Sequence, residues 1–299
     1  MPPACPLQLV DAHTSTGIGR SAAATSGHGG SINSWPDRRM ALVDTLVRGT
    51  RIAYDDIGSG PLVVRLHGLT GSRAADDATG AFDTDALVQA GRRVVRYDAR
   101  GHGSSGGEKA ESDYAWPNLA LDLLDLLDLL GADGSVSGIG SSMGTATLLH
   151  AVARAPDRFD RLVLTCPPTA WASRVAQAGV YRAGALFVER NGKEAFVRGM
   201  RAQPRPPVLA EAPVGPVDID EALLPSVMRG AASSDLPAPE QIAQIRTPTL
   251  ILAWDGDPGH PVATAERLHE LIPGSGLHVA RTPQDLRSWQ ARSTEFLGA

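Results

Sequence analysis

The sequence predicts an α/β protein, a mostly parallel sheet flanked by helices and interrupted by a helical insertion. Two observations carry this. From residue 41 onward, short apolar runs alternate with helical patterns, and strand alternating with helix closes into a parallel sheet covered on both faces. The runs are β-branched and show little polar/apolar alternation, as strands buried on both faces do. The rhythm fails between about 167 and 246, which places the insertion there.

Taken in order, residues 1–40 are rich in Gly, Ser, Ala, Thr and Pro and read as a disordered leader, so the folded domain is expected over 41–299. The leader has no basic start followed by an apolar run, and a signal peptide is not expected. "ALVDTLV" and "RIAYDDI", joined by "RGT", read as a hairpin. Buried strands are expected at "PLVVRLHG" (61–68), "RRVVRYD" (92–98), "SVSGIG" (135–140), "RLVLTC" (161–166) and "TPTLILAW" (247–254). Helical patterns lie between them at 83–91, 116–131, 142–159 and 260–274. In the second of these, Asp122, Asp125 and Asp128 recur every third residue and read as the solvated side of a Leu-rich amphipathic helix. The insertion opens with helical periodicity over 171–200 and continues through the proline-rich "QPRPPVLAEAPVGPV".

A chain of 299 residues can bury a sizeable core. Its net charge of −5 and pI near 5.9 provide neither the basic footprint of nucleic-acid binding nor a polybasic face for a membrane. Cys5 and Cys166 suggest neither a disulfide framework nor a zinc cluster, and a cytoplasmic setting is the default expectation. No apolar run reaches the roughly 18 residues of a membrane span. "ARGHGSSGG" (99–107) does not match a dinucleotide fingerprint, and the histidines and carboxylates lack a metal-ligand spacing, so no cofactor and no metal are expected. The expected partner is a small-molecule substrate.

The chemistry centres on "VSGIGSSMGTATLLH", where Ser142 stands between Gly140 and Gly144 as an apolar strand turns into a helix. A nucleophile displayed at such a turn adopts strained backbone angles that crowd the residues two before and two after it, so both must be small. The turn also aims the first helical amide, that of Met143, at the site, where it can hold an oxyanion. A second donor belongs in the loop after the third strand. "RLHGLTGS" (65–72) is the Gly-rich turn there, and Leu69 carries the corresponding amide.

With these residues in place the sequence resembles an α/β-hydrolase of the group with a helical cap. "LHGLTGS" is similar to the oxyanion loop, "YDARGHGSSG" (97–106) to the turn after the fourth strand, "GSSMG" to the nucleophile elbow and "LILAWDGDPGHP" to the acid-bearing strand and turn. The resemblance implies that Asp98 and His102 brace their turn and that the catalytic acid follows "TLILAW". Asp255 and Asp257 both qualify by position; Asp257 matches better, because a proline follows four residues later. A serine at 142 sets aside the family's aspartate-nucleophile branches.

The resemblance also implies a catalytic histidine after the last strand, and there the sequence departs from it: "LHVA" runs into "RTPQDLRSW", with Gln284 or Asp285 near the histidine's place. Among the eight histidines, His13 and His28 lie in the leader, His67 and His102 in turns with other roles, and His150 and His269 within helices. His278 lies inside the last strand, where core packing is expected. His260, three residues beyond Asp257, is on a loop at the carboxyl end of a strand, where active sites of open α/β sheets gather. Three readings stay open. His260 rebuilds the triad from a different loop; or the pocket supports chemistry without a general base, such as a lyase or cyclase step; or the protein binds a small molecule without turnover. Loss of the histidine removes on the order of a million-fold in turnover, about 8 kcal/mol of barrier, so the choice decides whether the chain is an esterase at all.

Overall fold

The computed structural model describes residues 43–80, 82–132 and 134–298, so the expected leader lies outside the described residues. The hairpin forms as β1 (Val43–Val47) and β2 (Thr50–Ile57), followed by β3 (Leu62–Leu66), α1 (Arg73–Thr79), α2 (Thr84–Gln89), β4 (Arg93–Tyr97), α3 (Trp116–Leu129), β5 (Val136–Ser141), α4 (Met143–Arg154) and β6 (Phe159–Thr165). The inserted region then contributes α5 (Arg174–Arg201), α6 (Leu224–Ala232) and α7 (Pro239–Ile242). The chain returns to the sheet with β7 (Thr249–Trp254), α8 (Val262–Leu271), β8 (Gly276–Ala280), α9 (Pro283–Arg287) and α10 (Trp289–Phe296).

The sheet order is β1-β2-β4-β3-β5-β6-β7-β8, antiparallel at β1/β2 and β2/β4 and parallel thereafter. Successive strand residues point to opposite faces, so a strand apolar at every position feeds two cores at once. Val64, Leu162, Leu164 and Ile251 join Leu123, Leu127 and Leu149 of α3 and α4 on one face. Val63, Val94, Ile139, Val163 and Leu252 meet Leu87, Trp289 and Phe296 on the other. The chain leaves β3 toward β4 on one side and reaches β5 on the other, which opens a crevice between the carboxyl ends of β3 and β5.

Packing corrects one local reading and adds one short helix. Asp125 and Asp128 are exposed, but Asp122 is 3% exposed: its carboxylate accepts Nε and Nη2 of Arg100, both at 2.9 Å, and Nη1 of Arg48 at 3.1 Å. A carboxylate is tolerated there because two guanidinium groups replace its water. Helix α1, which periodicity does not reveal in so short a segment, starts at Ser72, whose Oγ accepts the Ala75 N–H at 3.0 Å.

The inserted region has a small core of its own, Ala185 and Val188 of α5 against Leu224, Val227 and Met228 of α6, joined by Tyr114 from the segment before α3. Arg229 of α6 reaches both oxygens of Glu189 on α5 at 2.7 Å. Among the described residues no helix is long and apolar enough to cross a membrane.

Candidate active site

At the crevice, β5 ends and α4 begins with a single residue between them, Ser142, at φ 51° and ψ −106°. An L-residue there is strained and persists only where its surroundings dictate it. Here they do: a Cβ at Gly140 would come within 2.5 Å of the Gly144 carbonyl, and one at Gly144 within 2.5 Å of Leu66 O. Both neighbours are backbone, so neither can give way cheaply. Ser142 N–H is tied to Thr165 O at 3.0 Å, and Thr145 Oγ1 donates to Gly140 O at 2.9 Å.

The Ser142 hydroxyl is 2.7 Å from His260 Nε2, and His260 Nδ1 is 2.8 Å from Asp257 Oδ2. The carboxylate accepts at Nδ1, which leaves Nε2 to accept the serine proton; this tautomer follows from the network. The two side chains are 24% and 21% exposed. Asp257 has two further donors, Gly259 N–H at 2.8 Å to Oδ1 and the indole N–H of Trp254 at 3.0 Å to Oδ2. Burial alone would raise its pKa, but the bonds from His260, Trp254 and Gly259 outweigh burial and hold the carboxyl at about 2. It is therefore a carboxylate across the working pH range.

The structure thus brings together Ser142, His260 and Asp257. Asp255 is exposed, its N–H donating to Ala280 O at 3.0 Å. Asp285, near the place where the resemblance implies a histidine, instead caps α9. His278 lies within β8, with Nε2 buried and unpartnered.

Trp254 is the residue that sequence reasoning passes over, although an aromatic closing an apolar strand three residues before the acid is a visible signal. Its ring stacks on Trp289 at 5.6 Å and meets His260 edge-on at 5.8 Å, so it braces both Asp257 and His260. Hydrogen bonds to charged groups contribute about 1.5–3 kcal/mol. A Trp254→Phe protein, which keeps the stacking ring and loses the donor, is expected to show kcat lowered by about tenfold with KM little changed. Steady-state kinetics on an activated ester checks this, and an unchanged kcat would remove Trp254 from the site.

Across the crevice, Gly68 packs against Ser142: a Cβ there would stand 3.6 Å from Ser142 Cβ. The Leu69 N–H follows in this turn, and the Met143 N–H opens α4, where a first-turn amide has no intrahelical acceptor. The Gly68 carbonyl, in the same peptide plane as the Leu69 N–H, accepts His67 Nδ1–H at 2.8 Å and Gly71 N–H at 3.0 Å. His67 Nε2 accepts the Ala99 N–H at 3.0 Å, so only its neutral form satisfies both contacts.

His102 packs on His67 at 5.0 Å between ring centroids and is wholly buried, with Nε2 unpartnered. Burial, then the neighbouring imidazole, pushes the His102 pKa down to about 3, and burial lowers His67 as well. The unfolded chain, with histidine near 6.5, therefore binds more protons than the native state between pH 6.5 and 3. The stability held by the neutral ring is complete above about pH 6.5 and falls by up to about 1.4 kcal/mol per pH unit below it. Urea unfolding at pH 6.5 and 4.5 is expected to show this slope, reduced in His102→Phe. Equal stabilities of the wild type at both pH values would contradict it.

A cavity of about 870 Å³ adjoins the site. Its wall includes Gly68, Ser141 and Trp254, neighbours of the Leu69 amide, Ser142 and Asp257, while Ser142 and His260 are not among its lining residues. Phe82, Ile139, Leu209, Leu286 and Trp289 supply apolar walls.

A family model described as the alpha/beta hydrolase fold matches residues 61–190. A hydrolase from Pseudomonas aeruginosa superposes with a TM-score of 0.73 at 25% identity, covering 88% of this chain and 100% of that one. The chain has the α/β-hydrolase fold. Among proteins of named activity, it is 25% identical over 272 residues to the 2-hydroxy-6-oxononadienedioate/2-hydroxy-6-oxononatrienedioate hydrolase of Escherichia coli, covering 84% of this chain and 90% of that one. It is 32% identical over 117 residues to a protein of Synechocystis sp. named for non-heme chloroperoxidase activity, where the match spans 39% of this chain and 40% of that protein.

Proposed function

We propose that this α/β-hydrolase is a serine hydrolase acting on an ester or related acyl bond of a small, largely apolar molecule. The observation that carries the reading is the unbroken chain of contacts from Ser142 Oγ through His260 to Asp257, at 2.7 and 2.8 Å. The readings without a general base start from a missing imidazole, whereas here an imidazole stands within hydrogen-bond reach of the hydroxyl.

In this mechanism His260 Nε2 takes the Ser142 proton as Oγ attacks the carbonyl carbon. Asp257 holds the ring in the tautomer that leaves Nε2 free and stabilises the imidazolium that forms. The tetrahedral oxygen develops its negative charge against the Leu69 and Met143 amides, where each donor is worth about 2.7–4 kcal/mol. His260 then returns the proton to the leaving oxygen as the bond to it breaks. In the second half the same imidazole takes a proton from the water that attacks the acyl-enzyme and gives it to Ser142 Oγ as the acyl–oxygen bond breaks. The cavity beside Ser141 receives the acyl part, its size within the roughly 300–1,000 Å³ of small-molecule sites. The inserted region between β6 and β7 acts as the cap over it.

The test is labelling with a fluorophosphonate, which reacts only with an activated serine, alongside turnover of p-nitrophenyl butyrate. Wild type is expected to label and turn over, and Ser142→Ala to do neither. A wild type that takes no label, or turnover that survives Ser142→Ala, overturns the assignment.

A further inference from the structure

The two donors proposed for the oxyanion are held very differently. Met143 belongs to a twelve-residue helix, whereas Leu69 lies in a turn with no regular structure of its own, next to Thr70 at φ 67°. A β-branched residue in the left-handed region reverts unless something holds it. The inner half of the turn is fixed by His67 on the Gly68 carbonyl. The outer half is fixed by one residue of the inserted region, Asp218.

Three groups of Asp218 are engaged. Its N–H donates to Thr70 O at 2.9 Å, its carbonyl accepts the Gly103 N–H at 2.8 Å, and its Oδ2 accepts the hydroxyl proton of Ser72 at 2.5 Å. Ser72 is fully buried, and its Oγ also accepts Ala75 N–H as the cap of α1. Asp218 therefore joins the oxyanion turn, the first turn of α1 and the turn after β4. Next to it, Ile219 pairs with His102 and belongs to the same apolar cluster as α5 and α6, against which the Leu69 side chain also packs.

We infer that Asp218 is a positioning residue whose carboxylate, acting through Ser72 and added to its main-chain bond to Thr70, holds the Leu69 amide in register, so that the inserted region builds part of the oxyanion site as well as covering it. This rests on the proposed serine-hydrolase reading. Asp218 touches no reacting atom, and its removal leaves nucleophile, base and acid in place. What is lost is the fixed direction of one donor, felt as the tetrahedral species forms and not when substrate binds.

The test compares full-length wild type with Asp218→Ala, Asp218→Asn, Ser72→Ala and the Ser72→Ala/Asp218→Ala double variant on p-nitrophenyl butyrate, with a boronic acid as the tetrahedral mimic. Asp218→Ala is expected to lower kcat by roughly 5- to 30-fold with KM changed less than twofold, and to weaken the boronic acid in parallel. Asp218→Asn, whose amide oxygen accepts the same proton, is expected to recover most of both. Ser72→Ala is expected to match Asp218→Ala, and the double variant to be no worse than either single change. An unchanged kcat and boronate affinity in Asp218→Ala, a loss confined to KM, an asparagine variant as impaired as alanine, or additive single effects would each overturn the inference. If Asp218→Ala does not fold, Ser72→Ala and Asp218→Asn still decide it. Failure of the underlying reading is separate, since wild type would then neither take fluorophosphonate nor turn over.

Discussion

A His260→Gln protein is expected to melt within a few degrees of wild type and to turn over esters on the order of 10⁴- to 10⁶-fold more slowly. Glutamine is close to imidazole in reach and can donate a hydrogen bond to Asp257, but it takes no proton from Ser142 at neutral pH. The ring is about a quarter exposed and packs edge-on against Trp254, so little stability depends on it. On the proposed mechanism the residual rate belongs to the oxyanion donors and to binding, roughly 10³–10⁴ over water. Since the three groups act as one unit, adding Asp257→Asn or Ser142→Ala to His260→Gln is expected to cost almost nothing more. Turnover above about a tenth of wild type in the single variant would mean that another group accepts the proton.

Gly144→Ala is expected to damage both stability and turnover. Its new methyl would meet Leu66 O at 2.5 Å, Leu66 Cβ at 2.7 Å and His67 O at 2.9 Å, and two of those three atoms are backbone. Either α4 slides away from β3 or β3 bends, and overpacking of this kind costs about 1–3 kcal/mol. Both movements separate Ser142 from the turn that carries Leu69. A displacement near 1 Å at the reacting groups is worth about 100-fold in rate. Chemical denaturation and kcat measured together check the pair of effects. Gly179→Ala, on α5 with nothing within 4 Å of the added methyl, is the control and is expected to be neutral or slightly stabilising. Equal behaviour of the two variants would remove the steric argument for the elbow.

Much of this architecture is legible in the chain because its physics is local. Strands buried on both faces announce themselves as unbroken apolar runs, and Gly140 and Gly144 flank Ser142 as a strained turn demands. His260 is reached by elimination alone. A spacing of three residues from Asp257 says nothing about whether Nε2 faces the serine; that depends on the path of the loop after β7, where the His260 N–H bonds to Asp257 O at 3.1 Å. Asp122 reads as solvated because its partners, Arg100 and Arg48, are 22 and 74 residues away in sequence. Asp218 is harder still: it lies in an irregular proline-rich stretch without periodicity, and its three partners come from two distant turns.

The proposed acid and base share a single short bend, Asp257 to His260. On the proposed mechanism, no residue beyond Ala280 handles a proton, and the chain there reaches the site through Trp289, stacked on Trp254. Trp289 apart, the cavity wall between Pro283 and Ser293 answers to the shape and polarity of the bound molecule. Substitutions there can retune which molecules are accepted without touching the machinery that cuts them, an evolutionary freedom denied to a hydrolase whose proton acceptor hangs from its carboxyl-terminal loop.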